Sequence, residues 1–218
     1  MKLLLTSEGI RNAEIAHALQ ELVGKPLSET TILFIPTAAN TETGDKSWLI
    51  NDIAEFQKYS FKSIDVVDIA TPAEIWKPHM LVADVVCFGG GDEKYLARVI
   101  ASQNVKEFLL PLLEKKVYMG ISAGSMVVGH FLPDGLSDVV FPEEDFGKEE
   151  GTPMRLYDFI FIPHLNSSWF ASVRKDKLES IKDKFGMLTY VTDDETAIMI
   201  NDSKVETVGK GEYLIFNK

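Results

Sequence analysis

The sequence predicts an α/β fold: a three-layer sandwich with a mostly parallel central sheet, helices on both faces and a C-terminal antiparallel edge extension. Two observations predict it. Apolar runs too continuous to have a wet face, such as Val85-Val86-Cys87-Phe88 and Phe159-Ile160-Phe161-Ile162, alternate with segments of helical spacing. Strands buried on both sides by crossover helices have this pattern. Beyond residue 186 it gives way to short strand-like runs joined by turns such as Asn201-Asp202-Ser203, as in hairpins.

Taken in order, residues 3–6 read as the first strand, and residues 13–23 as an amphipathic helix with Ile15, Ala18, Leu19 and Leu22 on one face. Residues 31–36 are β-rich, and residues 47–59 return to helical spacing through Leu49, Ile50, Ile53 and Phe56. Residues 63–69 and 84–88 supply two further strands. Between them Thr71, Pro72 and Glu74 suggest an N-cap, a proline at the first helical position and a capping box. Residues 117–119 and 157–163 read as buried strands, and residues 187–191, 197–200, 204–208 and 213–216 as the antiparallel extension. No repeat or linker interrupts the chain, so residues 1–218 are expected to form one domain.

Composition excludes several classes. The formal charge is −11 and no cluster of Lys and Arg is present, which argues against nucleic acid as a partner. No apolar run is long enough for a membrane helix. Residues 1–6 run straight into Ser7-Glu8-Gly9 and read as a strand, not a signal peptide. The one cysteine, Cys87, falls in an apolar run, so a buried thiol and a reducing, cytoplasmic setting are expected. No cofactor is expected. Metal is not expected either: there is no H-E-x-x-H, and Pro142-Glu143-Glu144-Asp145 reads as an exposed acidic loop. Oligomeric state is not legible.

The chemistry concentrates in Gly120-Ile121-Ser122-Ala123-Gly124, which follows a strand-like run and precedes helix-compatible residues. G-x-S-x-G at a strand-to-helix junction is the nucleophile elbow pattern, which presents a serine hydroxyl above the sheet. The flanking small residues allow a tight turn and leave room for substrate. The Ala123 N–H would point toward a forming oxyanion. The same string also serves as a mere packing turn.

A serine needs a base. Of four histidines, His17 lies on a predicted helix, His79 follows Pro78 in an apparent loop, and His130 would fall beyond the elbow helix. His164 instead ends a strongly apolar strand, where parallel sheets gather their ligands. The carboxylate to orient it is open among Asp134, Asp138 and Glu195. Gly89-Gly90-Gly91 offers a second set of backbone donors. It matches no phosphate-binding motif, and Asp92-Glu93 immediately follow.

Four stretches, in this order, resemble the serine peptidases that include dipeptidase E (aspartyl dipeptidase) and cyanophycinase, whose fold is similar to class I glutamine amidotransferases. They are Ile35-Pro36-Thr37-Ala38-Ala39, Phe88-Gly89-Gly90-Gly91, Gly120-Ile121-Ser122-Ala123-Gly124-Ser125 and Pro163-His164-Leu165-Asn166. The resemblance implies Ser122 as nucleophile, His164 as base, the N–H groups of Gly91 and Ala123 as oxyanion hole, and Glu195 or Asp138 as the third member. It places Asn166 and Arg174 as substrate-binding candidates, Arg174 for a substrate carboxylate. Asp92-Glu93 depart from the Asn-Thr that members commonly carry, and the loop after His164 looks shortened. The expected activity is a serine exopeptidase or dipeptidase cleaving short peptides. Its rivals are an α/β-hydrolase-type esterase and a non-catalytic binding protein on the same fold.

Overall fold

The computed structural model describes residues 1–143 and 151–218. Glu144 and Asp145 of the acidic run lie outside the described residues. The elements are β1 (Lys2–Thr6), α1 (Ala13–Val23), β2 (Thr31–Ile35), α2 (Ser47–Lys58), β3 (Ser63–Val66), α3 (Ala73–Val82), β4 (Val85–Phe88), α4 (Glu93–Ser102) and α5 (Val105–Leu112). There follow β5 (Val117–Ile121), α6 (Ala123–Met126), α7 (Ser137–Val140), β6 (Ile160–Ile162), α8 (Lys175–Ile181), β7 (Thr189–Thr192), β8 (Thr196–Asn201), β9 (Lys204–Gly209) and β10 (Tyr213–Phe216).

The main sheet has seven strands in the order β3-β2-β4-β5-β1-β8-β9. The first five run parallel, and β8 and β9 continue the edge in antiparallel pairing. The two-residue side-chain period of a strand splits its residues between two cores. Leu3, Leu5, Leu33, Ile35, Val86 and Phe88 pack into one, and Leu4, Ile32, Phe34, Val85 and Cys87 into the other. Ile15, Leu19 and Leu22 of α1 and Phe56 of α2 cover the second face. Trp76 of α3, Leu96 of α4 and Leu109 of α5 cover the first. The fold is the expected mixed α/β sandwich around a mostly parallel sheet.

Three local expectations change. The strand before His164 does not join the main sheet: β6 pairs in parallel with β7, which pairs with β10, in a separate three-stranded sheet. The C-terminal strands therefore divide between two sheets and do not form one extension. Thr71 does not cap α3. Its hydroxyl donates to the Asp68 carbonyl at 2.6 Å, while Pro72, at φ −54° and ψ 145°, keeps the chain extended up to Ala73. His79 lies inside α3 and not in a loop, with Nδ1 2.5 Å from Asp65 Oδ2. Pro78 removes one helical N–H bond, but Trp76 and Met80 are fully buried on either side of it and hold the helix down.

Candidate active site

Strands β4, β5 and β1 are neighbours running in one direction, so their C-terminal ends open on the same edge. That edge carries Gly89-Gly90-Gly91 after β4, Ser122 after β5 and Ser7 after β1. Ser122 occupies φ 48° and ψ −110°, between β5 and the first residue of α6. A non-glycine residue in such a conformation costs of order 1–3 kcal/mol, held by its surroundings. Here the Ser122 N–H donates to the Thr6 carbonyl at 3.0 Å. Ser125 clamps the far side of the turn: its Oγ donates to the Thr6 carbonyl at 2.8 Å and accepts the Thr6 N–H at 3.0 Å.

The flanking glycines are required by contact. A Cβ on Gly124 would lie 2.0 Å from the Phe88 carbonyl oxygen, and one on Gly120 would lie 2.6 Å from the Ser125 nitrogen. The glycine loop lies beside this turn and is tight at Gly91. A Cβ on Gly90 would sit 3.4 Å from Ser122 Cβ, and Gly91, at φ +124°, would drive one to 2.4 Å from the Ala38 carbonyl. Ala123 opens α6, so its N–H has no partner within the helix.

His164 is delivered by the small sheet. It follows β6, is 7% exposed, and has φ +67°. Its backbone N–H donates to Ser7 Oγ at 3.1 Å, and Ser7 Oγ in turn donates to the Thr192 carbonyl at 3.0 Å. Phe170 stacks on the imidazole, with ring centroids 4.7 Å apart at 23°. Thus fixed, His164 Nε2 lies 3.0 Å from Ser122 Oγ, and Nδ1 lies 2.7 Å from Asp194 Oδ1. An ionised carboxylate only accepts hydrogen bonds. Nδ1 therefore carries the proton, which leaves Nε2 to accept from the serine hydroxyl.

The sequence profile of Peptidase family S51 matches residues 3–208. The chain belongs to peptidase family S51. As an S51 member it is a serine-type peptidase, a hydrolase with peptide substrates. No curated protein matches the sequence. Among solved structures, one assigned as a peptidase E protein from Listeria monocytogenes EGD-e is similar at TM-score 0.72 and 18% identity, over 97% of this chain and 98% of that one. A peptidase from an acI-B1 Actinobacterium is similar at TM-score 0.71 and 18% identity, over 99% of this chain and 90% of that one. At this identity the two likenesses speak for the fold.

Within this S51 chain the residues singled out by sequence separate clearly. Ser122, His164, Gly91 and Ala123 converge on one edge. Both ring nitrogens of His164 are engaged by Ser122 and Asp194, which leaves none for Glu195 or Asp138. Glu195 is exposed, and its carbonyl accepts from Asn12 Nδ2 at 2.8 Å. Asp138 is exposed on α7. Arg174 is spent within the loop after His164, donating to the carbonyls of Phe170, Val173 and Ser167 at 2.8, 3.0 and 2.8 Å. Asn166 is exposed and donates to Glu212 Oε2 at 3.1 Å. The sequence did not single out Asp194 or Ser7, both of which the structure brings into hydrogen-bond contact with His164. No helix among the described residues is long and apolar enough to cross a membrane. Cys87 is fully buried, and burial pushes its thiol well above the ordinary range.

Proposed function

We propose that this chain is a serine exopeptidase acting on short peptides, dipeptides included, with Ser122 as nucleophile, His164 as base and Asp194 as the orienting carboxylate. The observation that carries this reading is the continuous chain of two hydrogen bonds, 3.0 Å from Ser122 Oγ to His164 Nε2 and 2.7 Å from His164 Nδ1 to Asp194. Those distances lie within catalytic reach. They also favour catalysis over a binding module that keeps the turn for packing alone.

In this mechanism Ser122 Oγ attacks the scissile carbonyl as its proton passes to Nε2. Asp194 stabilises the imidazolium that results. The N–H groups of Gly91 and Ala123 receive the oxyanion. Collapse of the tetrahedral intermediate gives the proton to the leaving amine and leaves an acyl-Ser122. Water, deprotonated by His164, releases the product and restores the hydroxyl. The φ 48° of Ser122 suits a nucleophile elbow, since it lifts the hydroxyl off the sheet toward the glycine loop. The single buried thiol fits a reducing, cytoplasmic setting.

The test is labelling by a serine-directed phosphonate together with turnover of a dipeptide library. Wild-type protein should be labelled once and cleave members of the library, and Ser122→Ala should do neither. Labelling that survives Ser122→Ala removes Ser122 as the nucleophile. Cleavage of esters with no cleavage of any peptide would favour the esterase reading.

A further inference from the structure

Beside the nucleophile lies a surplus of negative charge that the mechanism above does not use. Glu8 follows β1 at the same edge as Ser122. One carboxylate oxygen of Glu8, one ring nitrogen of His164 and one carboxylate oxygen of Asp194 all lie within 4.8 Å of one another. The Glu8 side chain is 29% exposed and pairs with Arg11 Nε at 3.2 Å, so it is open to a ligand while held in place.

Behind it stands Asp52 of α2. Its Oδ1 is 3.9 Å from where a Cβ on Gly9 would lie. Its Oδ2 is shut off from solvent with no donor. Trp48 lies one turn earlier on the same face of α2, with its ring 3.6 Å from where a Cβ on Gly90 would lie. Trp48 thus approaches the glycine loop beside Ser122, and Asp52 approaches Gly9 beside Glu8. Around Glu8 stand the acids Asp52 and Asp194, against Arg11 and the imidazole of His164. Burial raises the Glu8 carboxyl above its ordinary range and the Asp194 charge raises it further, against the lowering by Arg11 and His164. A cation would relieve both effects.

We propose that Glu8 determines specificity by receiving the protonated α-amino group of the residue whose carbonyl Ser122 attacks, so that cleavage begins at a free N-terminus. The proposal rests on the peptidase reading above. An ammonium offers three donors, and the attacked residue places its amine one Cα from the carbonyl. His164 touches Ser122 Oγ at 3.0 Å and lies within 4.8 Å of Glu8. Nucleophile and carboxylate thus flank the same imidazole, a separation suited to one residue, about 3.5 Å long, with its hydrogen bonds. The same three ligand types could hold a divalent metal ion, but a metal on His164 would occupy the base.

The experiment compares the rates at which an α-aminoalkyl diphenyl phosphonate and its N-acetyl analogue label Ser122, with chelator present, in wild type, Glu8→Gln and Glu8→Asp. Wild type should prefer the free amine by about 10- to 100-fold, the worth of one charge-assisted hydrogen bond. Glu8→Gln should bring that ratio below about 3-fold, and Glu8→Asp should retain part of it. A wild-type ratio near one overturns the proposal, as does an equal loss on both reagents in Glu8→Gln. So does a preference that appears only when a divalent metal replaces the chelator. If neither reagent labels Ser122, the peptidase reading itself falls, and the proposal with it.

Discussion

Replacing Asp194 with Asn should cost about three decades of kcat/KM, while Glu195→Gln, one residue further on, should cost almost nothing. Asp194 Oδ1 sits 2.7 Å from His164 Nδ1, and its side chain is 24% exposed. As the reaction proceeds the imidazole gains a full positive charge. At ~4 Å between charge centres and an effective dielectric near 20, the carboxylate contributes ~4 kcal/mol to that ion pair. At ~1.4 kcal/mol per tenfold, this is ~10³ in rate. The Asn amide can also present an N–H to Nδ1, which favours the wrong tautomer and adds to the loss. Steady-state kinetics on a dipeptide cleaved by wild type would measure the effect, with circular dichroism confirming the fold. Activity of Asp194→Asn within fivefold of wild type, or loss in Glu195→Gln, would refute the assignment.

Asp52→Asn should make stability less sensitive to pH. Burial, with a further contribution from the Glu8 charge, raises the Asp52 carboxyl from 3.8 to about 7. The folded protein therefore holds a proton that the unfolded chain releases, and stability falls as pH rises from ~4 to ~7, by up to about 4 kcal/mol. Urea denaturation from pH 5 to pH 8 should show the mutant gaining on wild type with rising pH, and a constant gap would remove the assignment. Gly124→Ala forces a Cβ to 2.0 Å from the Phe88 carbonyl oxygen. Overpacking there of about 3 kcal/mol should lower Tm by about 6–12 °C and labelling of Ser122 with it. An unchanged Tm would show that the turn has room to spare.

The sheet core was readable because each apolar run is long enough to need burial on both sides, and the alternate residues of β1, β2 and β4 do divide between two cores. Ser122 and His164 were visible through their setting at strand ends. Asp194 was not, and the reason is local. Three acids stand together at 193–195, and a shift of one residue in a tight turn redirects a side chain completely. Asp193 turns back onto the chain to accept the backbone N–H groups of Glu195 and Glu212, at 3.0 and 2.5 Å. Glu195 faces solvent, and only the middle residue meets His164. The Ser7 hydroxyl was hidden for another reason: its partners, His164 and Thr192, are more than 150 residues away. The carbonyls that occupy Arg174 were not legible either, because a charge in a loop says nothing about the backbone that folds around it.

His164 and Asp194 follow the parallel neighbours β6 and β7, whereas Ser122 follows β5 of the other sheet. The base therefore comes from one sheet and the nucleophile from the other, with Asp194 in the short link between β7 and β8. The chain crosses between the two sheets here, as it does from β5 to β6 and from β9 to β10. The 3.0 Å contact between Ser122 and His164 thus depends on how the two sheets sit against each other. A shift between the sheets of about 1 Å would be enough to break that contact, with each sheet still folded.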